Sequence, residues 1–243
     1  MKPVKPMNRQ FGPGWTPGSF LASLPPDKCA ELLASGVRRQ FGAGRPLLRE
    51  GELSTHVEVL IRGFVKVTNV LDGVEVLMAI RMPGDILGEM AALTGRPRMA
   101  TVTTCGRVTS CVLSKGEFRR FLRENPAAAL NMAAALGERL RWSNQRRSDF
   151  AAYPAEVRLA RLLVEIATTC GRQTDDGLSL GVPLSQPELA TMIGVAEATV
   201  QKAFRELREC GVIRTGYRQI TVVDVPALRV LGDGAEDVRS LTA

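Results

Sequence analysis

The stretch Leu184–Thr221, LSQPELATMIGVAEATVQKAFRELRECGVIRTGYRQIT, constrains the fold more than any other part of the chain. Its apolar spacing predicts two short helices around a tight turn at Gly194, followed by a small β-hairpin. This order is the layout of a winged helix-turn-helix, a module that places one helix in the major groove of DNA. The sequence therefore predicts double-stranded DNA as a partner.

The residues of this module divide into a buried set and an exposed set. Ser185 and Glu188 predict a capping box at the first helix. The second helix, about Glu197–Cys210, is expected to bury Val200 and Phe204 and to expose its polar side. The predicted DNA-binding residues are Ser185, Gln186, Glu197, Ala198, Thr199, Gln201, Lys202, Arg205 and Arg218. The alternative is a structural helical hairpin whose charged side chains are only solvated.

The N-terminal half has a different sequence pattern. From Arg38 to Leu113, short β-branched runs alternate with glycine-containing turns, which predicts an antiparallel sandwich or barrel. The tetrapeptide LDGV at 71–74 predicts a hairpin turn, because Asp-Gly accepts positive φ angles. Pro126 is expected to open a long helix that reaches about Phe150.

One face of that long helix carries a stripe of apolar and small residues. The stripe contains Leu130, Ala133, Gly137, Leu140 and Asn144. Small residues allow close approach of a second helix, so the stripe favours self-association through this helix. The alternative is packing of the stripe against its own domain.

Composition excludes several classes of protein. The net charge of +7 favours a polyanionic partner. The five cysteines form no close pairs, which argues against zinc and iron–sulfur sites and favours buried, reduced thiols. The alternative is a redox role for Cys105 and Cys111, if these two approach each other on neighbouring strands. His56, the single histidine, is interpreted as a surface or hydrogen-bonded residue rather than a haem ligand. The sequence contains no nucleophile–base motif, so no enzymatic activity is expected. No apolar run reaches membrane-spanning length and no leader is visible, so a cytoplasmic location is expected.

A second stretch, GDILGEMAALTGRPRMATV at 84–102, adds a resemblance to a known family. Together with the helix-turn-helix, it resembles the Crp/Fnr family of bacterial transcription regulators over about residues 20–225. The resemblance implies an α+β fold: an antiparallel, jelly-roll-like β-roll, a long dimerisation helix and a C-terminal winged helix-turn-helix. The domains are then expected at 1–18 (flexible basic tail), 19–123 (roll), 124–150 (dimerisation helix), 151–231 (DNA-binding domain) and 232–243 (loose tail).

The resemblance also implies an effector site in the roll. Gly88 and Glu89 match the family's ribose-binding pair, and Arg98 matches its phosphate-binding arginine. Met99 replaces the hydroxyl residue expected beside that arginine, which removes one phosphate hydrogen bond. Ser143 and Asn144 fall where the family meets the base, so cAMP or another cyclic nucleotide is the implied effector. The alternative is that Glu89 and Arg98 pair with each other and only brace the roll.

The DNA helix departs from the family's common pattern at two positions. Glu197 stands where the family has a guanine-reading arginine, and Ala198 stands where it has a cytosine-facing glutamate, so a different half-site is expected. The implied partners are a pseudo-palindromic DNA operator, a second copy of the chain and RNA polymerase. Two alternatives stay open: a ligand-binding or protein-interaction module with a vestigial DNA helix, and a DNA-binding regulator that needs no effector.

Overall fold

The computed structural model describes residues 15–234, which form two compact units. The roll unit contains Trp15–Ala152 and Pro187–Ala196, and the C-terminal unit contains Tyr153–Gln186 and residues 197–234. Most of the two predicted tails, 1–18 and 232–243, lies outside the described residues.

The roll consists of antiparallel strands in two sheets. Its strands are β1 (Val37–Phe41), β2 (Pro46–Leu48), β3 (Val57–Arg62), β4 (Val65–Leu71), β5 (Val74–Arg81), β6 (Ile86–Leu87), β7 (Thr101–Thr104) and β8 (Val108–Leu113). One sheet has the order β1-β8-β3-β6 and the other has the order β2-β7-β4-β5. Asp72 and Gly73, with φ angles of 49° and 81°, form the predicted turn between β4 and β5. The antiparallel roll expected from the sequence is confirmed.

Helices close the core of the roll. They are α1 (Pro26–Ala34), α2 (Glu89–Thr94), α3 (Lys115–Glu124) and α4 (Pro126–Ala152), preceded by a 3-10 turn at Leu21–Ser23. Helix α3 begins with a capping box, in which the Ser114 hydroxyl accepts from the Glu117 amide at 3.1 Å and the Glu117 carboxylate accepts from the Ser114 amide at 2.7 Å. This cap orients Phe118 into the core, where it is fully buried beside Phe20.

The long helix α4 buries one side and exposes the other. Its 27 residues span about 40 Å. Ala128 and Met132 are buried in the core of the roll. The predicted stripe lies on the exposed side, and its leucines, Leu130 and Leu140, are 73% and 62% exposed. The alternative in which the stripe packs against its own domain is therefore wrong for this chain taken alone.

The C-terminal part of the chain alternates helices with a small sheet. The elements are α5 (Ala155–Cys170), β9 (Arg172–Thr174), β10 (Gly177–Ser179), α6 (Gln186–Ile193), α7 (Glu197–Glu209), β11 (Ile213–Gly216), β12 (Gln219–Val222) and α8 (Val225–Gly232). The predicted wing is the antiparallel β11–β12 hairpin, and the sheet has the order β11-β12-β10-β9. The composition of the segment CGRQTDDG predicts a plain loop. The segment contains β9 and the turn into β10 instead, because its backbone pairs with that neighbouring strand.

Most of α6 belongs to the roll unit by its contacts. Lys66 Nζ on β4 lies 2.5 Å from Glu188 Oε1, and the backbone amide of Leu77 donates to the Thr191 hydroxyl at 3.1 Å. The side chain predicted to complete a capping box with Ser185 thus pairs with a lysine of β4. The capping box itself stays a prediction.

Candidate ligand site and nucleic-acid interface

Gly88 and Glu89 lie where β6 passes into α2. Gly88 has φ 76° and ψ 5°, a left-handed conformation that disfavours residues with a Cβ atom. A Cβ atom at this position would also lie 2.3 Å from Nη1 of Arg98. The glycine is therefore required both by the turn and by the close approach of the arginine.

Arg98 is almost fully buried, at 4% exposure, and is held by polar groups of the roll. Its Nε donates to the Ser54 hydroxyl at 3.1 Å, and its Nη1 donates to the Gly88 carbonyl at 2.8 Å. Its Nη2 donates to the His56 carbonyl at 2.6 Å and lies 3.4 Å from the Nδ1 atom of the same residue. Burial lowers the pKa of the Arg98 guanidinium, and the nearby carboxylates oppose this effect.

Glu89 is buried as well, at 5% exposure, and its partner comes from α4. Arg139 Nη1 lies 2.6 Å from Glu89 Oε1, and Arg139 Nη2 donates to the Ile86 carbonyl at 2.8 Å. The sequence alternative in which Glu89 and Arg98 pair with each other is therefore wrong. Each of the two side chains is braced by separate partners, although both lie beside Gly88.

A second arginine adds charge to the surroundings of Glu89. Burial lowers the pKa of the Arg81 guanidinium to about 10, and the nearby Arg139 contributes to this lowering, while Asp85 and Glu89 oppose it. Two cationic and two anionic side chains therefore share this region. A ligand hydroxyl that bound Glu89 would share the carboxylate with Arg139, whose guanidinium already donates to Oε1.

Helix α7 exposes most of its polar side chains, whereas Arg98 and Glu89 in the roll are buried. Its apolar side, Val200, Ala203, Phe204 and Leu207, is buried. Glu197, Ala198, Gln201, Lys202 and Arg205 are exposed, and Thr199 is half-buried. The faces predicted for this helix are therefore confirmed, and the exposed face offers charged and amide groups suited to base edges and phosphates.

Weak local contacts hold polar side chains of α7. Gln201 Nε2 donates to Glu197 Oε1 at 3.0 Å, one turn apart on the exposed face. Lys202 Nζ lies 3.9 Å from Glu206 Oε1, which is too long for a hydrogen bond. These side chains can reorganise toward a partner at little cost, because solvated pairs of this kind contribute at most about 1 kcal/mol.

The wing adds exposed cationic and aromatic groups. Arg218 adopts φ 53° in the turn of the hairpin and is exposed, and Tyr217 beside it is 92% exposed. Arg214 on β11 pairs with Asp176, which lies in the turn between β9 and β10. Ser185 and Gln186, at the start of α6, are half-buried.

Comparison with known families assigns both halves of the chain. A model of the cyclic nucleotide-binding domain matches residues 38–125, and a model of the Crp-like helix-turn-helix domain matches residues 157–231. The chain belongs to the Crp/Fnr family of transcription regulators. Its combination of domains is that of an effector-controlled DNA-binding regulator.

Individual relatives agree with this assignment. A CRP-like cAMP-activated global transcriptional regulator of Mycobacterium tuberculosis is 28% identical over 76% of this chain and 83% of its own length. A cyclic AMP receptor protein of Thermus thermophilus is 27% identical, covering 87% and 95%. The crystal structure of a CRP-family transcriptional regulator, also from Thermus thermophilus, matches the fold with a TM-score of 0.69 at 24% identity, covering 82% of this chain and 99% of that one.

Within the Crp/Fnr framework, the predicted ligand residues separate into two groups. Gly88, Glu89 and Arg98 come together in the roll. Met99 is 62% exposed, in contrast to the buried arginine before it. Ser143 and Asn144 are exposed on α4, so their predicted contacts with a base stay predictions.

Sequence reasoning missed three residues that hold the Arg98 and Glu89 side chains in place. Ser54 and His56 hold Arg98, and Arg139 holds Glu89. A signal for Arg139 exists in the sequence, because its position on α4 is off the exposed stripe and toward the roll. No signal links Ser54 or His56 to Arg98, since more than forty residues separate them.

The two cysteines considered as a pair in the sequence lie on or next to strands of different sheets. Cys105 and Cys111 are not on neighbouring strands: Cys105 follows β7 in one sheet and Cys111 lies on β8 in the other. Burial raises the pKa of the Cys105 thiol to about 11.

Within residues 15–234, no group of three or more His, Cys, Asp or Glu side chains could hold a metal ion, and no helix is long and apolar enough to cross a membrane.

Proposed function

We propose that this protein is a homodimer that binds a pseudo-palindromic DNA operator through α7 and the wing, under control of a small anionic effector in the roll. The observation that carries the DNA part is the division of α7 into a buried apolar side and an exposed polar side. Lys202 and Arg205 stand on the exposed side, where lysine and arginine serve both phosphate contact and base reading.

The base preference of this helix differs from that of the family's common pattern. Glu197 carries a carboxylate, which accepts a hydrogen bond from cytosine N4 and repels phosphates. Ala198 offers only an apolar contact, which suits a thymine methyl group. Selection of bound sequences from random DNA tests this proposal. Enrichment of a palindrome supports a regulator, whereas binding without any enriched sequence supports a vestigial DNA helix.

The exposed stripe on α4 supports the homodimer. A Cβ atom at Gly137 would meet nothing within 4 Å in the described residues other than its chain neighbours and the backbone of its own helix, so the substitution Gly137→Leu should leave the monomer fold intact. It should weaken the dimer, because a bulky side chain then separates two closely packed helices. Sedimentation analysis measures the effect, and Gly116→Leu on α3 is the matched control. An unchanged dimer would refute the proposed helix seam.

The effector is proposed to be cAMP or another cyclic nucleotide. Supporting this, Gly88, Glu89 and Arg98 converge in the roll, and two curated relatives are named for cAMP. Calorimetry of the full chain against cAMP and cGMP tests the proposal directly. RNA polymerase as a further partner, a cytoplasmic location and the lack of an enzymatic activity are proposed from the same family relation.

A second candidate is a regulator that binds DNA without any effector. The observation that favours it is that Arg98 and Glu89 each already have a separate partner in the roll: Arg98 donates to the Gly88 and His56 carbonyls, and Glu89 pairs with Arg139. If operator affinity is the same with and without saturating nucleotide, and calorimetry shows no heat of binding, this candidate replaces the effector-controlled one.

A further inference from the structure

Most of the N–H donors of Arg98 already face acceptors inside the roll. A guanidinium carries five N–H donors. Three of them go to Ser54 Oγ, the Gly88 carbonyl and the His56 carbonyl, and a fourth faces Nδ1 of His56 at 3.4 Å. One N–H remains. Bidentate binding of a phosphate by arginine uses two N–H groups. With its present hydrogen bonds, the Arg98 guanidinium therefore has one N–H group too few for such binding.

His56 controls that fourth donor through its protonation state. Arginine can only donate, so a hydrogen bond across this contact requires Nδ1 of His56 to be the acceptor, in a neutral ring with its proton on Nε2. Nε2 points toward Glu58, whose Oε1 lies 3.7 Å away, and the other oxygen of Glu58 accepts from the Ser110 hydroxyl. Residues of β3 and β8 thus orient the imidazole against the arginine.

The charged groups that face His56 come from several elements. Arg98 lies before β7, Arg39 lies on β1, Glu52 lies in the segment before β3, and Glu58 lies on β3. Burial lowers the pKa of His56, and Arg98 and Arg39 lower it further, while Glu52 opposes them. The lowered pKa of His56 favours the neutral form of the imidazole.

We propose that His56 is the positioning residue of the anion-binding arginine, and that protonation of His56 releases Arg98 for an anionic effector. This inference rests on the proposed ligand site. A protonated Nδ1 cannot accept from Nη2, so one N–H returns to the ligand side. Protonation also places two cations side by side, and an anion bound to Arg98 relieves their repulsion.

The direction of the linkage follows from this arrangement. Anion binding favours protonated His56, so by reciprocity protonation favours anion binding. Affinity for the anion should therefore rise as the pH falls through the pKa of His56, and binding should take up a proton. Coupling between two sites is commonly about five-fold or more, so wild-type protein should bind cAMP at least about five-fold more tightly below the measured pKa of His56 than above it.

The first experiment needs no effector, because His56 is the only histidine in the chain. Nitrogen and proton NMR of the full chain reports the tautomer and the pKa of a single imidazole. The expected result is a proton on Nε2 at high pH, and a pKa that rises in Arg98→Gln but not in the exposed control Arg96→Gln. A proton on Nδ1 in wild-type protein would overturn the proposal without any variant, which matters because Arg98→Gln is a change in the interior.

The second experiment measures cAMP binding by calorimetry across the same pH range. His56→Asn keeps an acceptor near the position of Nδ1 and cannot titrate, so its affinity should not change with pH. An affinity of wild-type protein that is equally flat overturns the linkage. If neither cAMP nor cGMP binds at any pH, the cyclic-nucleotide part of the proposed function fails, and the NMR titration alone decides the positioning role.

Discussion

The buried polar side chains around Gly88 and the exposed face of α7 use the same residue types in opposite ways. Arg98 is 4% exposed and donates to three acceptors of its own chain. Lys202 is 66% exposed at its side chain and lies 3.9 Å from the Glu206 carboxylate. A buried cation must be satisfied by the fold, because leaving it or its partners unpaired costs several kcal/mol. An exposed cation is satisfied by water and stays available to a partner.

The largest expected effect is on the stability of the roll. Arg98→Met should lower the free energy of unfolding by about 3 kcal/mol, because the Gly88 and His56 carbonyls lose their donor inside the protein. Urea denaturation at fixed protein concentration measures the change. The matched control Arg205→Met on α7 should change stability by less than about 0.5 kcal/mol. Equal losses of unfolding free energy in Arg98→Met and Arg205→Met would contradict the distinction between a buried and an exposed arginine.

The next effect concerns the backbone under Arg98. Gly88→Ala places a Cβ atom at a residue with φ 76° and against Nη1 of the arginine. Strain of this kind costs about 1–3 kcal/mol, which thermal unfolding can detect. Gly106→Ala is the control, because nothing lies within 4 Å of its Cβ position. A loss confined to Gly88 shows that the local backbone and the arginine, rather than glycine content in general, impose the constraint.

On the exposed side, an effect on DNA binding is expected without an effect on folding. Lys202→Ala should weaken binding to the selected operator by about 1–3 kcal/mol and relax the preference at one base pair. Its stability should match that of wild-type protein, since the Lys202 ammonium lies 3.9 Å from the Glu206 carboxylate, beyond hydrogen-bond distance. Fluorescence anisotropy against single-base variants of the operator gives the preference, with Lys28→Ala on α1 as the control. Unchanged preference at every position would remove α7 from the interface.

The smallest effect is expected at Glu197. Glu197→Gln removes a negative charge from the face proposed to meet DNA and keeps an acceptor for the amide of Gln201. Binding to DNA that lacks the operator should strengthen slightly, by about 0.5 kcal/mol, because repulsion from phosphates decreases. The same titration at several salt concentrations checks this. The operator complex should not strengthen in the same way, because the proposed hydrogen bond from cytosine N4 loses its charged acceptor; an equal gain on the operator would mean that Glu197 reads no base.

Local patterns in the sequence predict some parts of this protein well, for a simple reason. Amphipathic spacing at three and four residues decides which side of a helix is apolar, so the buried and exposed faces of α7 can be predicted residue by residue. Alternating strands with glycine turns predict an antiparallel roll, and Asp72–Gly73 predicts its hairpin. The strand β9 escapes such a prediction, because a three-residue strand exists only through its neighbour.

The amino-acid sequence by itself determined the succession of roll, long helix and winged helix-turn-helix, the faces of the helices and the family. It also placed Gly88, Glu89 and Arg98 in one predicted pocket, since they share one continuous motif. Only the tertiary structure decided what these side chains contact, namely Ser54 and His56 for the arginine and Arg139 for the glutamate. Helix faces follow from local periodicity, whereas partners distant in the chain meet only when the sheets and α4 pack together.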